Sequence, residues 1–337
     1  MLGKTGLTVT KLGFGGIPIQ RVNEREAVEV VAHAIERGVD FIDTSRAYTT
    51  SERRIGKALQ KTGKKVVIAS KSHGRTYDTI LRDLETSLRE LNLDYIDLYQ
   101  AHFVRDEKMY AQIISPGGAI QGLRKAREDG LIGHIGITSH NLDLVDKVLD
   151  DELFDTIMVC FSLLEPKAQE AVIPKAREKN VGLIAMKAFS GGIIDNASLA
   201  LKYVLSQPGI AVLVGVEQKG LFDENWEIFR GSWDLDDSEW EQIEAIRSRY
   251  EKNFCRRCDY CQPCSEGIPI QQILGIRSMV KRMGTRILME GYMAKAIDKA
   301  RNCTECGECM TRCPYNLPIP DLIKENLAWV DERRNEM

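Results

Sequence analysis

Short β-branched apolar runs alternate along the chain with longer stretches whose apolar positions recur at helical spacing, and this alternation continues to about residue 230. The runs are LGFGG (12–16), VDFIDTS (39–45), VVIASK (66–71), DLYQAHF (97–103), HIGITS (134–139), TIMVCFS (156–162), GLIAMKA (182–188) and IAVLVGV (210–216). Each predicts a strand. The segment EREAVEVVAHAIERG predicts a helix that begins after Asn23, with Glu26 at capping-box distance, and stops at Gly38, where a left-handed cap is expected. DTILRDLETSLREL, AIQGLRKAREDG, AQEAVIPKAREKN and NASLALKYVLSQPG read the same way. Eight strand–helix repeats in about 215 residues predict an α/β fold closed as a (β/α)8 TIM barrel, for which about 250 residues is typical. An open doubly wound sheet needs fewer units and a GxGxxG turn after its first strand, and GFGG lacks that spacing. A further helix is expected in DLDDSEWEQIEAIRSRYEKN (234–253), leading out of the barrel. The expected domains are therefore a barrel over 1–250 and a small, mostly helical module over 251–337.

Composition narrows the function classes. A chain of 337 residues with 43% hydrophobic and 28% charged residues can bury a full core, so it is neither a mini-scaffold nor disordered. A net charge of −3 argues against nucleic-acid binding through bulk phosphate attraction. No apolar run reaches the ~18 residues of a membrane span, and MLGKTGLTVT lacks a secretory h-region. A cytoplasmic protein is expected, with no nucleic acid and no membrane as partner.

Of nine cysteines, eight fall between 255 and 313, and only Cys160 lies earlier, inside a predicted strand where it reads as a small buried apolar residue. Crowded thiols in a reducing compartment point to metal or cluster ligation. Cys303, Cys306, Cys309 and Cys313, followed by Pro314, have the C-x2-C-x2-C-x3-C-P spacing of bacterial [4Fe–4S] ferredoxins. Cys255, Cys258, Cys261 and Cys264 form a second run at steps of three, with Ser265 in place of the proline. The two runs are followed by echoing segments: aligned on Cys264 and Cys313, Ile268 stands opposite Leu317, Pro269 opposite Pro318 and Ile270 opposite Ile319. Two [4Fe–4S] clusters are expected. Since the fourth cysteine of such a run often serves the neighbouring cluster, crossed ligation is expected: Cys255, Cys258 and Cys261 with Cys313, and Cys303, Cys306 and Cys309 with Cys264. Local ligation by each run is the alternative, and two four-cysteine zinc sites are the other reading of the same residues.

In a barrel of this kind functional residues sit at the carboxyl ends of strands. Those ends supply Asp43, Lys71 and His102, with Tyr48 on the loop after Asp43. Singly, these are a capping carboxylate, a snorkelling lysine, a core histidine and a wall residue. Together they are what carbonyl reduction by hydride transfer needs, because an alkoxide develops and must be protonated. The Lys71 ammonium is expected to lower the Tyr48 phenol from its ordinary ~10, Asp43 to hold Lys71, and His102 to orient the carbonyl oxygen.

DTSRAY with Asp43 and Tyr48, ASKS with Lys71 and DLYQAH with His102 resemble the catalytic tetrad of the aldo-keto reductases. The resemblance runs from residue 1 to about 230, through HIGITSH and QPGIAVLVGVEQKGLFDEN, and the tail is similar to the ferredoxin-like extension of a prokaryotic branch of that family. It implies an oxidoreductase interconverting a small-molecule carbonyl and alcohol with NADH or NADPH lying across the barrel mouth. It implies Gly16 and Ser139 beside the nicotinamide, Lys187 and Gly215 near the pyrophosphate or ribose, and Glu224 and Asn225 beside adenine. Two positions depart from the pattern: Met158 replaces a glutamine for the carboxamide, and Met186 a tyrosine that stacks on the nicotinamide. In GVEQKGL, Glu217 would repel a 2′-phosphate and Lys219 is the sole nearby cation, so NADH is expected to serve at least as well as NADPH.

His73 and His140 follow strand ends and are candidates for the substrate pocket. Segment 277–301 sets Arg277, Lys281, Arg282, Arg286, Lys295, Lys299 and Arg301 against Glu290 and Asp298, which suits an acidic redox protein such as a ferredoxin or flavodoxin, or a merely solvated face. A second function class stays open, an electron-transfer or partner-docking iron–sulfur protein whose barrel has little nicotinamide-dependent activity.

Overall fold

The computed structural model describes residues 1–336, the side chain of Arg282 excepted. Eight strands, β1 (Leu12–Gly15), β2 (Phe41–Asp43), β3 (Val67–Ser72), β4 (Ile96–Ala101), β5 (Ile132–Ser139), β6 (Thr156–Cys160), β7 (Gly182–Met186) and β8 (Ile210–Val214), pair in sequence order, all parallel, and β1 closes on β8. Each expected run yields one strand of this barrel. The run around β2 is trimmed at both ends. Asp40 is tied to Thr10, its Oδ1 accepting from both the backbone N and Oγ1 of that residue, while Thr44 and Ser45 belong to the loop that carries Tyr48.

Among the described residues nine helices accompany the strands: α1 (Glu24–Arg37), α2 (Ser51–Thr62), α3 (Tyr77–Leu91), α4 (Glu107–Ile114), α5 (Ala119–Glu128), α6 (Leu142–Asp151), α7 (Val172–Glu178), α8 (Ala197–Leu205) and α9 (Lys219–Arg230). Asn23 caps α1 by accepting from Glu26 N, and Gly38 ends it at φ 117°, a conformation that favours glycine. The apolar stripe of α2 is broken because Glu52 and Arg54 are themselves buried, and Arg54 spends its guanidinium on the carbonyls of Ile19 and Val22. Inside the barrel, Phe41, Ala69, Leu98, Met158, Ile184, Ala211 and Leu213 form an apolar cluster with Leu2. Each large side chain among them contributes about 1.5–3 kcal/mol by leaving water.

The chain divides into two compact units, residues 1–190 with 194–237, and residues 191–193 with 238–337. The expected boundary at 250/251 is thus displaced to Asp237. Helix α10 (Asp237–Tyr250) is a single rigid segment, so the division falls at its start rather than its end. In the second unit α11 (Ile270–Leu274), α12 (Ile276–Met283), α13 (Gly291–Ala300), α14 (Glu308–Thr311) and α15 (Ile319–Asn335) surround a core that includes Ile268, Ile273, Ile297, Leu317 and Ile323. The sequence echo is structural. Pro269 caps α11 and Pro318 caps α15, each after a turn in which Gly267 (φ 64°) or Asn316 (φ 50°) donates its N–H back to the carbonyl of Cys264 or Cys313. Among the described residues no helix is long and apolar enough to cross a membrane.

Candidate active site and cysteine cages

Parallel register sets the rim of the barrel. Asp43 ends β2 opposite Ala69, and Lys71 in β3 stands opposite Gln100 in β4. His102 follows β4 directly, its N–H donating to Ser72 O at 2.8 Å. The Lys71 ammonium donates to Asp43 Oδ1 and to Thr44 O, and lies 4.9 Å from the centre of the Tyr48 ring, toward its face. The Tyr48 and His102 rings meet edge to face at 5.8 Å. Asp43, Tyr48, Lys71 and His102 are therefore brought together in the barrel unit.

Their electrostatics differ from expectation in one respect. Burial and the Asp43 charge push the Tyr48 phenol well above its ordinary value, and Lys71 does not lower it. The reason is the ion pair: Asp43 largely cancels the ammonium's field, and the ring is drier than water. Burial raises the Asp43 carboxyl and lowers the Lys71 ammonium, each opposed by the attraction of the other. His102 is driven well below the ordinary histidine range by burial and then by the positive charges of Lys71, Arg75 and Lys187 and repulsion from the His73 ring, so the imidazole is neutral.

Several neighbours lacked a sequence signal. Gln100 Nε2 donates to Asp43 Oδ2 at 3.3 Å, and Gln100 lies fully buried inside the barrel. Ser45 touches His102 Nδ1 at 3.0 Å. Arg75 donates to the carbonyls of His102 and Phe103. Only the alternation of strand residues hinted at Gln100, which sits two before His102 on the inward face. Of the candidate pocket histidines, His73 stacks on His102 with centroids 4.5 Å apart, and His140 lies 3.1 Å from Lys187 Nζ.

The positions expected to hold a dinucleotide lie after strands or on α9. Ser139 ends β5, buried, with its hydroxyl donating to Val104 O. Lys187 follows β7 at φ 63°, and Gly215 follows β8. On α9 Asn225 is buried and Glu224 exposed. Gly16 is explained by packing: a Cβ there would lie 2.6 Å from Ser51 Oγ and 2.9 Å from Asp43 O. An ammonium suits a pyrophosphate and a buried amide suits adenine, so the donor set fits the group. Met158 is buried in the apolar cluster of the barrel and Met186 packs against it, so neither offers a polar contact. Lys219 is not the sole cation near Glu217. Arg21 feels the Glu217 charge, Arg25 lines the same surface pocket, and Lys219 is itself paired with Glu29.

In the second unit a pocket is lined by Cys264 together with Cys303, Cys306 and Cys309. Cys258 is pushed up to about 11 by burial, with Cys255 and Cys313 among the neighbouring negative charges. Cys264 thus lies with the second cysteine run and Cys313 beside the first. Among the described residues no cluster of three or more His, Cys, Asp or Glu is placed to hold a metal ion. Of the basic segment, Arg277 is engaged by Asn326, Arg286 by Glu290 and Arg301 by Asp331. The Arg282 side chain lies outside the described residues.

Residues 11–198 match the model of the aldo/keto reductase family and residues 254–318 that of a 4Fe-4S dicluster domain. L-Galactose dehydrogenase from Arabidopsis thaliana is 32% identical over 213 residues, covering 57% of this chain and 66% of the relative. Aldo-keto reductase YhdN from Bacillus subtilis is 24% identical over 212 residues, covering 57% of this chain and 62% of its own. The match thus spans a little under two thirds of these relatives. The structure of aldo-keto reductase AKR11C1 from Bacillus halodurans superposes with a TM-score of 0.63 at 22% identity, covering 73% of this chain and 95% of that one.

Proposed function

Because the chain belongs to the aldo/keto reductase family, we propose that it interconverts a carbonyl and an alcohol with a nicotinamide cofactor, and that two [4Fe–4S] clusters in its dicluster domain carry electrons. The observation that supports this reading is the meeting of Asp43, Tyr48, Lys71 and His102 at one rim of the barrel unit. The nicotinamide, when bound, supplies or accepts the hydride. Tyr48 holds the proton that a developing alkoxide requires, and its raised phenol suits a donor that stays protonated until the charge appears. Lys71, fixed by Asp43 and Thr44 O, keeps a positive charge beneath that ring.

In this reading Ser139, Lys187, Gly215 and Asn225 hold the dinucleotide, with Gly16 and Glu224 flanking it. Glu26, Glu29 and Glu217 outnumber Arg25 and Lys219 around this pocket and disfavour a 2′-phosphate, so NADH serves at least as well as NADPH. Eight cysteines hold the clusters, Cys255, Cys258, Cys261 and Cys313 around one and Cys303, Cys306, Cys309 and Cys264 around the other. Hydride moves two electrons and a cluster one, so exchange between the two chemistries needs an intermediary, and an acidic redox protein is the proposed outside partner.

The test is anaerobic purification, iron and sulfide analysis, and turnover on a panel of carbonyls and alcohols that includes L-galactose. Tyr48→Phe is expected to lower nicotinamide-linked turnover by about 100-fold or more while leaving the cluster spectra unchanged. Unchanged turnover would overturn the reading in favour of the second, an iron–sulfur carrier or docking protein with an inactive barrel. The apolar surroundings of Met158 and Met186 favour that alternative.

A further inference from the structure

We propose that the substrate taken at this rim is a carbonyl or alcohol that also carries a carboxylate, held by Arg75 and Arg105 beside His73. The inference rests on the reading of the rim as an active site and names the substrate class of that site.

Two neighbouring strands release basic residues at the same place. His73 and Arg75 follow β3, whereas His102 and Arg105 follow β4, and the two strands stay paired up to Ser72 opposite Ala101. Contacts draw these residues together. The His73 ring stacks on His102 with centroids 4.5 Å apart. Arg75 Nη2 donates to the carbonyls of His102 at 2.6 Å and of Phe103 at 3.2 Å, and the Arg105 guanidinium lies 5.8 Å from the centre of the Phe103 ring. Two guanidiniums are thus gathered around one short stretch of backbone that begins with the rim histidine. His73 is exposed and both arginines are half-buried, so a small molecule reaches them from solvent.

The charge on Arg75 is answered by carbonyl dipoles and not by an ion pair. Its Nη1 is buried without a hydrogen-bond partner among the described residues, and burial together with repulsion from Arg105 brings the guanidinium down to about 10. Burial, then Arg75, Arg105 and Lys71, likewise hold His73 below its ordinary range. The carboxylates nearby have other work. Asp43 holds Lys71, Asp83 accepts from the Ser72 hydroxyl, and Asp106 accepts from Met109 N at the start of α4 and attracts Arg75 only through space. Keeping a charge partly out of water without a counter-ion costs stability, and such unanswered groups gather where a ligand supplies the missing charge. Guanidinium donors lie in one plane and match a carboxylate two at a time, whereas a neutral ketone gives them no charge to neutralise. Lys187 and His140, 3.1 Å apart, are left to the dinucleotide.

The experiment is calorimetric titration of the full-length, anaerobically purified protein, in excess NAD+, with 2-oxopentanoate, 4-oxopentanoate and pentan-2-one, which shares their carbon chain without the charge. At least one acid should bind about 10-fold or more tightly than the ketone, the worth of a hydrogen bond to a charged group. Raising sodium chloride from about 20 mM to about 300 mM should narrow the gap. Arg105→Gln should remove most of it and leave pentan-2-one binding unchanged; Arg75→Gln should do the same, and Arg75→Lys should keep part of it. Acids that bind no more tightly than the ketone overturn the proposal, as does a gap that survives in Arg105→Gln. A variant that loses acid and ketone alike assigns its arginine to the scaffold of the loop and overturns its role here. The unaltered protein and Arg105→Gln decide even if the Arg75 variants do not fold. Acid binding without nicotinamide-linked turnover sinks the functional reading alone, and turnover of pentan-2-one with no preference for the acids sinks only the present inference.

Discussion

Lys71 Nζ donates to Asp43 Oδ1 at 2.5 Å with both side chains sealed from solvent. The same nitrogen reaches Thr44 O at 2.7 Å, so the pair is anchored to backbone as well as to itself. Two charges without water need each other, and this mutual need fixes the ammonium under the Tyr48 ring.

Removing one partner should therefore cost more than removing both. Lys71→Met strands a buried carboxylate and is expected to destabilise the barrel by about 3–5 kcal/mol at neutral pH. The double variant Asp43→Asn, Lys71→Met should recover part of that loss. Urea unfolding of the three proteins checks the order.

The His102 environment gives a pH dependence with a definite sign. Its folded pKa lies well below 6.5, so below about pH 6.5 the unfolded chain binds a proton that the folded chain refuses. Stability should fall as pH drops below that value, by at most about 1.4 kcal/mol per pH unit, until the folded histidine protonates. His102→Asn should flatten the slope between pH 7 and pH 5 in denaturant titrations. An unchanged slope would show that the histidine is not the sensor.

Gly16 lies where the first strand passes under the Asp43 carbonyl, which accepts from Gly16 N at 2.7 Å. Gly16→Ala presses a methyl to within 2.9 Å of that carbonyl and 2.6 Å of Ser51 Oγ. The cost should be about 1–3 kcal/mol, read from the melting transition. Displacement of the Asp43 strand end should also weaken nicotinamide binding, measured by quenching of its fluorescence.

Crossed ligation is tested by pairing variants. Cys264 lines one pocket with Cys306, whereas Cys258 keeps company with Cys313. The double variant Cys264→Ser, Cys306→Ser should therefore lose about half of the iron, no more than either single variant, whereas Cys264→Ser, Cys258→Ser should lose nearly all of it. Local ligation reverses the two outcomes, since Cys264 and Cys258 would then share a cluster and Cys264 and Cys306 would not. Iron analysis and electron paramagnetic resonance distinguish the patterns.

Much of this molecule is legible as a string. Strand periodicity, the cap at Asn23, the stop at Gly38 and the cysteine spacing are local, governed by steric and hydrogen-bonding rules acting over a few residues. They suffice for the barrel, for the appended module and for the four rim groups. Tertiary structure alone decided the rest. It buried Glu52 and Arg54 on a face where α2 should be apolar, and placed Gln100 beside Asp43 and Ser45 against His102. It also surrounded Tyr48 with a compensated ion pair that leaves its phenol high rather than low. Residue order names the charged groups, but a pKa or a tautomer depends on distance, burial and the sign of every neighbour, and those exist only once the strands have closed.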